Sequence, residues 1–65
     1  MIINIEGSSY NIDNILYFNT TYMVMGLYVI NIYFKSQKDP LVLEYDNKDD
    51  YDKIVKDLQS LLTIN

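Results

Sequence analysis

The sequence predicts an α+β domain: a four-stranded antiparallel β-meander with one C-terminal amphipathic helix packed on one sheet face. Three observations predict it. Apolar residues alternate with other residues in "IINI", in Tyr28–Phe34 and in "LVLEY", which is the period of a strand with two unlike faces. From Tyr51 onward the apolar spacing changes to three and four, the period of a helix with one apolar stripe. The 65 residues have room for one domain, spanning 1–65, and no more.

The elements follow in order. "IINI" places Ile3 and Ile5 on one face, and "EGSS" follows as a turn in which Gly7 can adopt positive φ. "YNIDNILYF" reads as a second strand, broken or bulged near Asp13–Asn14, a pair that favours local side-chain turns. "TYMVMGLYVINIYF" reads as a long third strand with a bulge or bend at Gly26. "KSQKDP" is a polar loop, and Pro40 suits the start of the fourth strand, where a missing amide donor does little harm. That strand, "LVLEY", turns Leu41, Leu43 and Tyr45 inward and Val42 and Glu44 outward. The helix then carries Tyr51, Ile54, Val55, Leu58, Leu61 and Leu62 on one side. Asp46 or Asn47 is placed to cap it, with Asp49 or Asp50 completing a shortened capping box. Asp49–Lys53 and Asp52–Lys56 are acid-before-base pairs one turn apart.

Ile15–Phe34 contains no charged residue. About 20 apolar residues would suffice for a transmembrane helix. Asn19, Thr20, Thr21 and Asn31 interrupt the run, however, and β-branched and aromatic residues fill the rest, so it reads as two strands. Their connection falls either at the polar "NTT" or at the Gly-assisted "MVMG". No membrane association is expected.

Composition excludes several functions. Cys and His are both absent, which removes disulfides, the usual zinc ligands and the commonest catalytic bases and nucleophiles. No cofactor, metal or catalytic residue is therefore expected. Ser8 and Ser9 sit in a Gly turn, and nothing in the spacing of Glu6 and Asp13 requires them to act as an acid–base pair. The net charge is −4 and Arg is missing, so bidentate contacts to guanine or phosphate cannot be made and nucleic acid is a poor partner. Met1 is followed by "IINIEG" without a basic region, and with no Cys the expected location is cytoplasmic. Ile, Asn, Tyr and Lys fill 28 of the 65 positions, and all four have AT-rich codons. That bias suits an AT-rich genome and also a phage or mobile element.

The densest acidic segment, "DNKDDYD" at 46–52, fails as a calcium loop. Counted from Asp46, Lys48 stands at position three, Tyr51 where Gly is needed at six, and Asp57 where a bidentate Glu is needed at twelve. Acids at a helix N-terminus are explained by the helix dipole instead.

Seven tyrosines are the remaining peculiarity. Tyr can replace Phe on half-buried strands, and it is also enriched at interface cores together with Met. If Tyr28, Ile30, Ile32 and Phe34 face the helix, then Met25, Leu27, Val29 and Tyr33 face outward, next to Tyr22 and Met23. The expected interface is therefore Tyr22, Met23, Met25, Leu27, Val29 and Tyr33, because exposed apolar surface of that extent calls for a cover. Lys35 and Lys38, together with Asp49 and Asp52, are candidate contacts for a ligand or a second protein. A domain this small has a marginal core, so a homo-oligomer is expected.

"YNIDNILYF", followed by an alternating strand and a terminal amphipathic helix, resembles the outline of several small bacterial and phage β-meander proteins. It is similar in pattern and length to small flagellar accessory proteins of the FlbD kind, but lacks the Pro-containing turn associated with them. The expected role is binding without catalysis: contact with another protein, as in a phage-encoded inhibitor of a host system. The alternatives are an oligomer that sequesters a nucleotide-like ligand and a structural subunit of a larger assembly.

Overall fold

The computed structural model describes residues 1–22 and 26–62, with the side chain of Tyr22 left out. It is α+β with five strands and one helix, in the order β1 Ile2–Ile5, β2 Ser8–Asn11, a 3₁₀ turn at Ile12–Asn14, β3 Ile15–Tyr22, β4 Tyr28–Phe34, β5 Leu41–Tyr45 and α1 Lys48–Leu62. The strands form two antiparallel sheets, β1-β2 and β3-β4-β5. The single four-stranded meander is thereby corrected, and two local interactions account for the difference.

The first is at Asn11. Its side chain accepts a hydrogen bond from the Asp13 amide at 3.0 Å, which winds Ile12–Asn14 into a 3₁₀ turn. The Ile12 amide simultaneously donates to the Met1 carbonyl at 2.9 Å. The segment "YNIDNILYF" is thus cut into two strands that belong to different sheets. The second is at Gly26, whose φ of +75° lies between β3 and β4. "NTT" is interior to β3, while Thr21 and Tyr22 pair with Val29 and Tyr28. Of the two connections considered for the uncharged stretch, the Gly-assisted one holds, and Tyr28–Phe34 is a strand by itself.

The β1-β2 hairpin closes through a two-residue turn in which Glu6 (φ +51°) and Gly7 (φ +82°) are both left-handed, with Ile5 opposite Ser8. Two positive φ values match the twist of a tight hairpin, but a left-handed Glu costs about 1–2 kcal/mol. Across the same hairpin the Ser9 hydroxyl donates to Asn4 Oδ1 at 2.7 Å.

Alternation then decides what is inside. Ile30 and Ile32 of the central strand are fully buried, as are Ile5 of the hairpin and Leu58 of the helix. Ile3, Ile12, Ile15, Phe34 and Leu43 complete the core, and the helix residues Tyr51, Ile54, Val55, Leu61 and Leu62 pack against it. The hairpin and the helix together cover one face of the three-stranded sheet. Tyr10 stacks on Phe34 at 5.4 Å, and Tyr51 meets Tyr28 at 5.0 Å, so each cover is anchored by an aromatic pair. No polar or charged residue is buried among the described residues.

Asn47 is the helix cap. Its Oδ1 accepts from the Asp49 amide at 2.8 Å, and Tyr51 starts the helical ladder by donating to the Asn47 carbonyl. Among the described residues the ion pair that forms is Lys48–Asp52 at 2.7 Å, base before acid, on an exposed surface. The structure does not display the pairs Asp49–Lys53 and Asp52–Lys56 read from the sequence.

Truncating Leu58, which is sealed from water at the centre of the helix stripe, should cost about 2–5 kcal/mol in Leu58→Ala. A domain of this size has little more than that to lose, so urea titration by circular dichroism should find the variant largely unfolded. Replacing Glu6 by Asn, which suits the left-handed turn, should raise the urea midpoint by the equivalent of about 0.5–1 kcal/mol.

Candidate functional site

The helix and hairpin occupy only one side of β3-β4-β5. The other side is built by the alternate residues of the same strands and has three cross-strand rows. Tyr17 lies opposite Tyr33. Asn19, Asn31 and Val42 form the second row, and Thr21, Val29 and Glu44 the third.

The first row is aromatic. The rings of Tyr17 and Tyr33 stack with centroids 4.5 Å apart and planes 16° from parallel. Tyr33 is half-buried, whereas Tyr17 stays 52% exposed. A register shift between Ile15 and Tyr17 leaves Leu16 without a partner in β4, and it is 58% exposed. The second row is polar at its centre, with Asn31 Nδ2 donating to Asn19 Oδ1 at 2.9 Å. Val42 at its end is 51% exposed. In the third row Val29 is 7% exposed. As a residue of the central strand it is flanked on both sides, by Thr21 and Glu44.

The residues expected at the interface are dispersed by this arrangement. The side chain of Tyr22, and Met23 and Met25 altogether, lie outside the described residues. Leu27 is half-buried ahead of β4. Val29 contributes almost no accessible surface, and Tyr33 belongs to the aromatic row. The exposed apolar side chains of the face are Tyr17 and Val42, with Leu16 at its margin. The alternation of "LVLEY" signals Val42 as outward; the pairing of Tyr17 with Tyr33 depends on a strand register that the sequence does not announce.

The charged candidates separate as well. Lys35 and Lys38 are exposed in the connection between β4 and β5. Lys35 continues the ladder by one bond, its amide donating to the Asn14 carbonyl at 2.8 Å, while Asn14 Nδ2 donates to Ser36 Oγ at 2.9 Å. Asp49 and Asp52 are in the first turns of α1, engaged through the Asn47 cap and the Lys48 ammonium. Glu6 and Asp13 stand at opposite ends of β2, so the structure does not bring them together.

Glu6 has a different neighbour, which sequence reasoning missed. The hydroxyl of Tyr45 is buried without an acceptor at hydrogen-bonding distance and angle. Burial first, then the Glu6 carboxylate that it faces short of full hydrogen-bond geometry, and then Asp50, push its pKa up to about 12.

The described residues enclose no pocket, and no three acidic side chains converge among them. No helix among them is long and apolar enough to cross a membrane. The arrangement is a pocketless, partly aromatic sheet face with an amide pair at its centre, suited to contact over an area. Comparisons of the chain with protein-family models, with curated proteins and with solved structures give no match.

The Tyr45 phenol supplies a pH test. Because its folded pKa lies above the ordinary 10.0, the stability it supports is intact below about pH 10 and is lost as pH rises towards 12. In thermal melts over that interval, Tyr45→Phe should lose less stability than the parent protein. At neutral pH the same variant should be as stable as the parent or slightly more so, since it removes a buried hydroxyl that lacks a partner.

Proposed function

We propose that this chain is a small non-enzymatic interaction protein that works by contact between the open face of its three-stranded sheet and another protein. The observation that carries the reading is the stacked Tyr17–Tyr33 pair, held on a sheet side that neither the helix nor the hairpin covers. Two rings already fixed against each other lose little side-chain freedom on binding, and tyrosines of this kind anchor interface cores. A standard interface takes about 800 Å² from each partner.

The acidic side of α1, with Asp49, Asp50 and Asp52, would lie beyond this contact and favour a partner with a basic surface. An inhibitor that occludes a nucleic-acid-binding or nucleotide-processing host protein fits that distribution, and a phage or mobile element is the setting in which such a chain would arise. A second reading, an oligomer holding a nucleotide-like ligand, draws on Lys35. That residue follows Tyr33 by two positions, and its backbone is pinned to Asn14, so a cation stands near the aromatic pair.

The test is affinity capture from source-cell extract with the parent protein, Tyr17→Ser and Val42→Lys. The parent should retain one host polypeptide, and each variant should lose at least ten-fold of it while keeping its circular dichroism. Equal retention by all three would refute the docking face. A small ultraviolet-absorbing molecule released from the purified parent on denaturation, with no polypeptide retained, would establish the second reading instead.

A further inference from the structure

The two edges of the three-stranded sheet are unlike. β5 is guarded in the manner of a protected edge, since Pro40 precedes it, Glu44 lies within it, and Lys38, Asp39 and Asp46 flank it. β3 is eight residues long, pairs among the described residues only with β4, and contains no charge, proline or glycine. Its register shift at Leu16 twists one end away. Tyr17–Tyr22 remains as a regular strand whose alternate amides and carbonyls point away from β4.

Water can solvate such an edge, but a second strand can pair with it, and two features select a second copy of this chain. The first is charge: each copy carries −4, yet every charged residue lies outside Ile15–Phe34, so two β3 strands meet without bringing like charges together. The second is self-complementarity about Asn19. An antiparallel pair with Asn19 opposite its own copy sets Tyr17 against Thr21 and Phe18 against Thr20. Aromatic–β-branched pairs of this kind stabilise neighbouring strands.

We infer that two copies join β3 to β3 in antiparallel fashion around Asn19, making one six-stranded sheet. The two-fold axis stands perpendicular to the sheet, as an isologous contact requires. Both Tyr17–Tyr33 pairs then lie on the same side and remain uncovered. The inference uses the strand edge, not the face, and stands independently of the docking reading.

Sedimentation of the full chain tests it. The parent should sediment at twice its 7.7 kDa chain mass. Asn19→Asp and Asn19→Lys place like charges opposite each other, and each should sediment as a single chain with unchanged circular dichroism. Mixing the two in equal amounts should restore the doubled mass, because Asp then faces Lys. Val42→Lys, on the far edge strand, should keep the doubled mass. A monomeric parent at millimolar concentration, a dimeric Asn19 variant, a monomeric mixture or a monomeric Val42→Lys would each overturn the pairing. Amide exchange of the parent needs no variant: protection of alternate amides within Tyr17–Thr21 should fall on dilution, and protection independent of concentration would equally overturn it.

Discussion

The structure depends on the burial of Ile30 and Ile32 in the central strand beneath two separate covers. Those two side chains, with Ile5 from the hairpin and Leu58 from the helix, are removed from water completely. They come from the beginning, middle and end of the chain, so no part of it reaches this burial without the others. A chain of 65 residues has material for one such layer. The hairpin and the helix both lie on one side of the sheet, and neither covers the other side.

The open face is thus a consequence of the core, and its composition shows how that exposure is tolerated. Its central row is the Asn31–Asn19 amide pair, and its third row ends in Thr21 and Glu44. Val29 is apolar but only 7% exposed, which leaves the Tyr17–Tyr33 pair and Val42 as the accessible apolar groups of the face among the described residues. Tyrosine is the residue that can do this, presenting a ring to its neighbour and a hydroxyl to water. Four other tyrosines work on the covered side: Tyr10 against Phe34, Tyr28 against Tyr51, and Tyr45 packed against the core. One residue type serves both faces, which is why the count of tyrosines alone did not locate a surface.

Periodic features were legible in the sequence, and features set by one side-chain bond or by register were not. The helix was readable because Tyr51, Ile54, Val55, Leu58, Leu61 and Leu62 repeat over four turns, and Asn47 is a strong capping type. The inward set Ile30, Ile32 and Phe34 was readable from alternation. The break at Ile12–Asn14 was not, because a bulged strand and a 3₁₀ turn differ there by a single Asn11 hydrogen bond. The left-handed Glu6 contradicts the ordinary preference of its residue type, and only the two-residue hairpin demands it. Val29 looked exposed because alternation gives direction without giving neighbours. Val29 is nevertheless 7% exposed, and Leu16 is exposed because the register slips beside it.

Charge placement connects the two surfaces. A chain at −4 gains nothing from an uncharged stretch as far as remaining dispersed is concerned, since net charge keeps copies apart only where charges stand near the point of approach. Here most charges are on α1 and in the β4-β5 connection, with Glu44 in β5, Glu6 and Asp13 in the turns on either side of β2, and none in β3. Approach along β3 is therefore the path on which two copies repel least, and approach along β5 or the helix is the path on which they repel most. The same partition directs a basic partner towards the helix side and an apolar contact towards the aromatic row. The surface of this small fold is thus divided by charge into an acidic helix side and an uncharged strand edge.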